Sequence, residues 1–300
     1  MLEVIIPANV SNEEEFLKNF NEATKNTGNL MLFAGDQKIE HLNKDFYGEG
    51  IAKDDANPEH LFKIASKGEI GIFATQLGLI TRYAKKYPNV PYLVKVNSKT
   101  NLVPFEQRDP ISLSLHDFDK ILDIKQKGIK ILGVGYTVYL GSEFEHVMLK
   151  EASELVYKAH KNNMIAVLWM YPKGKAVKNE HDPELIAGAA GVAACLGADF
   201  AKIKVPKQEG KDVKELLHIA VEAAGNTGLI CEGGSKEGVL EFLKELYLYK
   251  EAGVRGNGTG RNIHQRPLKE AIAMTKAISA ITLYDKTPEE AYKIFQDNPL

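Results

Sequence analysis

The chain has 300 residues, 44% of them hydrophobic and 26% charged, enough for a full core in one large α/β domain or two ordinary ones. Its formal net charge of −2 comes from interspersed Lys and Glu, which excludes an electrostatic footprint for nucleic acid or an acidic membrane and leaves small molecules as the expected partners. Two cysteines without zinc or disulfide spacing, a start (residues 1–10) unlike a signal peptide, and no apolar run near the roughly 18 residues of a membrane span point to a reducing cytoplasm.

A helix is predicted at 12–24. Short apolar runs rich in β-branched residues then recur at 30–35, 71–76, 92–97, 132–137, 165–171, 200–205, 229–234 and 254–258, separated by segments of helical periodicity. Among those helices, Ser142 is expected to cap the run 143–162, Pro183 to open one reaching Leu196, and Pro267 to sit just inside another. A last helix at 288–297 would, like the first, cover the barrel's bottom or serve in subunit contacts. No linker or break in rhythm divides residues 1–300, so a single domain is expected.

Eight strand–helix units can form a (β/α)8 TIM barrel or a doubly wound open sheet. In the open sheet a glycine-rich phosphate loop follows the first strand; here Gly233-Gly234 and the run from Gly256 to Gly260 follow the seventh and eighth, where barrel enzymes commonly bind phosphate. The barrel is therefore the expected fold.

Alternate residues of a barrel strand face inward, and chemistry is done where they reach the strands' C-terminal ends. One parity carries Leu32, Ala34 and Asp36; another Leu93, Lys95 and Asn97; then Val167, Trp169 and Tyr171; then Phe200, Lys202 and Lys204. In the last case the opposite parity, Ala201, Ile203 and Val205, is apolar and suits packing against helices. Desolvation and neighbouring cations favour a neutral amine, which attacks carbonyls. The structural alternative is that these lysines pair with Asp36 or Glu232 in an ion network. Asp36, Glu40 and His41 are metal-ligand types, but no second histidine matches them, so no metal and no cofactor is expected.

These residues lie in motifs that resemble the archaeal-type class I fructose-bisphosphate aldolases and their bacterial relatives: GDQKIEH at 35–41, YLVKVNSKTNL at 92–102, GYTVYLGSE at 135–143, VLWMYPKG at 167–174, GADFAKIKV at 197–205, CEGGS at 231–235 and GRNIHQRP at 260–267. The resemblance spans nearly all the chain. It implies a glycolytic and gluconeogenic lyase in which Lys202 forms the Schiff base, Tyr171 is the acid, and Asp36 manages the hydroxyl proton at the cleaved bond. Trp169 shapes the pocket, Gly233, Gly234, Gly260 and Arg261 bind phosphate, and Lys95 and Lys204 add charge near the amine. It also implies a homo-oligomer, often a decamer.

Two positions depart from the family pattern: Lys38 stands where many relatives have glycine, and Glu232 where they have a small serine-like residue. Glu232 beside a phosphate site calls for an offsetting cation such as Lys38 or Lys204, a catalytic role, or a substrate whose phosphate sits elsewhere. Alternative functions are a relative with the same lysine and tyrosine acting on another sugar phosphate or keto-sugar, as in deoxy-keto sugar phosphate synthesis for archaeal aromatic biosynthesis, a barrel of the acyl-transfer type, a metal-dependent aldolase, or a silent sugar-phosphate-binding barrel.

Overall fold

The computed structural model describes residues 4–297; the first three residues of the 1–10 stretch and the last three of the chain lie outside the described residues. Strands β1 (Leu30–Ala34), β2 (Ile72–Thr75), β3 (Tyr92–Lys95), β4 (Ile131–Leu140), β5 (Ile165–Pro172), β6 (Phe200–Ile203), β7 (Gly228–Glu232) and β8 (Gly256–Thr259) follow one another, all parallel, around a closed barrel in which β8 pairs with β1. Closure excludes the open sheet and gives the expected (β/α)8 architecture.

Side-chain alternation divides the apolar residues into two bodies. Leu32, Ala34, Leu93, Val167, Trp169, Phe200 and Ile230 fill the barrel, while Ala201, Ile203 and Val205 belong to the layer between strands and helices. Lys202, on β6, thus shares the inward parity of Phe200, and Lys204 lies on the same parity just past the strand's end. The β4 strand runs to Leu140, beyond the predicted end at residue 137, because it stays in register with β5 as far as Leu140 opposite Pro172.

The helix Glu13–Ala23 closes the bottom of the barrel. Asn12 caps it by accepting from the Glu15 N–H, and three acidic residues in its first turn suit the positive end of the helix dipole. Its buried face, Phe16, Phe20 and Ala23, joins the interior cluster, with Phe20 stacked on Phe200 at 5.7 Å between ring centres. A Phe20→Ala substitution is expected to destabilise the fold by about 3–5 kcal/mol, seen as a lower urea midpoint at unchanged slope.

Two local expectations are corrected and a third is narrowed. The helix Pro288–Gln296 packs on the outer helices Leu268–Thr282 and Val239–Glu251. Ser142 does not cap a helix starting at 143: its hydroxyl donates to the Pro110 carbonyl and accepts from the Phe144 N–H, and the helix begins at Glu145. Pro267 stands immediately before the first turn of Leu268–Thr282 instead of inside it. Among the described residues no helix is long and apolar enough to cross a membrane.

Candidate active site

A cavity of about 250 Å³ opens at the C-terminal ends of the strands, and all the residues predicted for the site except Lys95 line it: Asp36 after β1, Trp169 and Tyr171 on β5, Lys202 on β6, Lys204 just past it, Glu232, Gly233 and Gly234 at and after β7, and Gly260 and Arg261 after β8. These five strand ends are too far apart in the chain for any local interaction to gather them. Barrel closure does so.

Lys202 is 4% exposed and belongs to no ion pair among the described residues. Burial lowers the pKa of its amine; Asp36, Glu232 and Glu40 pull it back up, and Arg261 adds to the lowering. Room for the side chain comes from Gly258 on β8, where a Cβ would lie 2.7 Å from Lys202 Cε and 3.1 Å from its Nζ. The amine sits 5.5 Å from the centre of the Trp169 ring.

Lys95, 3% exposed, has its amine 5.3 Å from the same ring. It donates to the backbone carbonyl of Asn97 at 2.7 Å and to Oδ1 of that residue at 3.0 Å. Burial lowers its pKa to about 8 against the raising effect of Asp36 and Glu40, and the Lys202 charge lowers it further. Lys95 is thus the one predicted site residue that does not line the cavity, although its charge is felt by the same carboxylates and by Lys202.

Tyr171 holds its phenolic proton strongly: burial raises its pKa well above the ordinary value, and the charges of Glu232, Asp36 and Glu40 raise it further. Asp36 is 9% exposed, and its Oδ1 is buried without a hydrogen-bond partner, while its backbone carbonyl accepts from Gln76 Nε2 at 2.7 Å. Tyr139, which sequence reading did not select, also lines the cavity and donates to Glu40 Oε1 at 2.9 Å.

The offsetting cation expected for Glu232 is neither Lys38 nor Lys204. Lys204 is ion-paired with Glu180, and Lys38 turns away, its amine 4.3 Å from the Phe46 ring and 3.4 Å from the Ala56 carbonyl. No ion pair involving Glu232 occurs among the described residues, and its field acts on Lys202 and Tyr171. In the Asp36, Glu40 and His41 set, Glu40 is engaged by Tyr139, and His41 Nδ1 lies 2.5 Å from Asp45 Oδ2.

Gly234 has φ of 59°, which turns the chain after β7 into a left-handed bend of the kind that groups backbone N–H donors for an anion. Asn262, fully buried, clamps this bend: its amide donates to the Gly233 and Ser235 carbonyls at 2.8 Å each and accepts from the Glu237 N–H at 3.0 Å. Sequence reading missed Asn262, although it stands in the GRNIHQRP motif two residues after Gly260. Its only signal was that an amide side chain can satisfy donors and acceptors together.

A closed parallel barrel with a buried, unpaired lysine at the functional end, beside a protonated phenol and a carboxylate, defines a carbonyl-chemistry enzyme of the Schiff-base class. Residues 30–266 match the DeoC/LacD family of aldolases, and the chain belongs to that family. Over 98% of its length it is 58% identical to a protein of Methanocaldococcus jannaschii named fructose-bisphosphate aldolase/6-deoxy-5-ketofructose 1-phosphate synthase, covering 94% of it. A solved fructose-bisphosphate aldolase of Slackia heliotrinireducens superposes with a TM-score of 0.97 at 54% identity, over 99% of this chain and 95% of that one. An archaeal fructose-1,6-bisphosphate aldolase solved with its catalytic lysine bound to a carbinolamine intermediate superposes at 0.76 with 30% identity, over 89% and 99% of the two chains.

Proposed function

We propose that the protein reversibly cleaves fructose 1,6-bisphosphate to dihydroxyacetone phosphate and glyceraldehyde 3-phosphate, with Lys202 as nucleophile. The observation that carries this is the buried, unpaired Lys202 amine sharing one small cavity with Tyr171 and Asp36. Neutral Lys202 adds to carbon 2 of the open-chain ketose, and the carbinolamine loses its hydroxyl as water with a proton from Tyr171. Asp36 takes the proton of the carbon 4 hydroxyl as the carbon 3–carbon 4 bond breaks, and the electron pair of that bond moves onto the iminium. Glyceraldehyde 3-phosphate leaves. The proton held by Asp36 passes to the Tyr171 phenolate, which delivers it to carbon 3 of the enamine; water then adds at carbon 2, its released proton reloads Tyr171, and dihydroxyacetone phosphate departs as the free amine returns. The Gly233–Gly234 bend and Arg261 hold a substrate phosphate.

A second reading has one specific support, the double name of the Methanocaldococcus jannaschii relative. The sugar in that name keeps a phosphate on carbon 1 and has no oxygen on carbon 6, so its carbons 4 to 6 correspond to an unphosphorylated three-carbon aldehyde. Both readings share the donor half and Lys202. They part at the acceptor, which carries a phosphate in the first reading and none in the second.

Incubation with dihydroxyacetone phosphate, borohydride reduction and peptide mass spectrometry is expected to place the adduct on Lys202. An adduct on Lys95 instead, or none in the folded protein with any ketose or ketone tried, overturns the assignment. Supplying fructose 1,6-bisphosphate with and without an uncharged aldehyde then separates cleavage from transfer to the second acceptor.

A further inference from the structure

The stretch after β1, which carries the short helix Gln37–His41 and a single 3-10 turn at Lys53–Ala56, is fastened to the turn after β8. His264, at the end of the short helix Arg261–His264, is fully buried and donates from Nδ1 to Oδ2 of the equally buried Asp55 at 2.7 Å. The Phe46 ring stacks on the imidazole at 4.7 Å with an interplanar angle of 5°. Gln265 Nε2 donates to the Asp45 carbonyl at 2.9 Å, and the Ala52 N–H donates to the Gln265 carbonyl at 3.0 Å. His60 Nε2 lies 3.0 Å from the His264 carbonyl.

This fastening is costly in the terms that govern protein interiors. Asp55 Oδ1, His264 Nε2 and His60 Nδ1 are all buried without hydrogen-bond partners among the described residues. Apolar residues of similar size would commonly hold two segments together as well or better. The polar arrangement does something an apolar one would not: it sets the loop in one register against the β8 turn. In that register the Asp45 carboxylate reaches Arg261, with Oδ2 3.7 Å from Nε, and the same oxygen lies 2.5 Å from His41 Nδ1. His41 and Arg261 both line the catalytic cavity.

We propose that Asp55 and His264 are positioning residues: by locking the β1 loop onto the β8 turn they make Asp45 orient Arg261 toward the substrate phosphate. This rests on the reading of Arg261 as a phosphate contact. His264 and Asp55 touch no substrate, so their removal acts on binding of the phosphorylated ligand and leaves the amine chemistry intact.

The test uses the full-length protein in four forms: wild type, Arg261→Gln, His264→Phe, which keeps the ring stack and removes the hydrogen bond, and the double variant. Asp55→Asn, nearly unchanged in size, tests the same link if His264→Phe does not fold. The readouts are KM and kcat for the phosphorylated ketose, competition by inorganic phosphate, and the rate of borohydride-trapped adduct formation with unphosphorylated dihydroxyacetone. Expected are a KM raised about 10-fold in His264→Phe with kcat within about twofold, a matching loss of phosphate competition, an unchanged dihydroxyacetone adduct rate, and little further effect when Arg261→Gln is added. If Arg261→Gln itself leaves KM and phosphate competition unchanged, the phosphate reading of Arg261 fails and this proposal with it. If Arg261→Gln raises KM while His264→Phe or Asp55→Asn does not, or if their effects multiply independently with that of Arg261→Gln, the phosphate reading stands and the positioning role is overturned.

Discussion

Lys202→Ala is expected to trap no carbonyl compound under borohydride and to turn over the ketose ~10⁵-fold more slowly, about 7 kcal/mol of barrier. Unfolding is not the cause. The substitution removes an amine whose charged form is disfavoured by burial, so the thermal midpoint should stay level or rise. Lys202→Arg should be equally inactive, because a guanidinium does not deprotonate in a protein. Appreciable turnover by either variant would move the covalent role elsewhere, with Lys95 the first alternative because its pKa is also depressed, to about 8.

Tyr171→Phe is expected to lower kcat by about 10²–10⁴-fold while leaving Lys202 able to add to the substrate, so that the carbinolamine accumulates and reduced adduct appears slowly. Intact-mass analysis, read with time after rapid mixing, separates this from a binding defect. The pH profile follows from the same groups. Since Tyr171 keeps its proton well above the ordinary phenol range, the acid stays loaded throughout neutral and mildly alkaline conditions. The rise of activity with pH therefore follows loss of the proton from Lys202, whose depressed pKa makes the neutral amine available at lower pH than for a solvated lysine. A fall in rate near pH 8 that Tyr171→Phe abolished would contradict this order.

Much of the architecture was legible because a barrel writes itself into the chain as a repeat, and strand parity then decides which side chains meet. Lys202, Lys204, Trp169, Tyr171 and Asp36 could be placed on one cavity from alternation alone, and the family motifs supplied their roles. What was not legible depends on distances between segments far apart in the chain. Lys95 has the right parity, but its amine donates to Asn97 two residues on, a local partner that alternation does not reveal. Lys204 finds Glu180, a loop residue with no periodic signal, and so leaves Glu232 without the partner expected for it. Asn262 and the Asp55–His264 link join loops whose approach depends on barrel closure. The extra length of β4, Val138 to Leu140, comes from continued pairing with Met170 to Pro172 of β5, a partner distant in the chain that the local pattern does not show.

Trp169 is the only tryptophan in the chain, and it lies between two amines at nearly equal distances from its ring. Proton loss from Lys202 takes a positive charge away from the indole, and iminium formation puts back one that pH cannot remove. If Lys202 is the nucleophile, the emission of the native protein is expected to act as an optical voltmeter beside it. Stopped-flow fluorescence should then follow each covalent step in real time, without a label, a coupling enzyme or a chromogenic substrate.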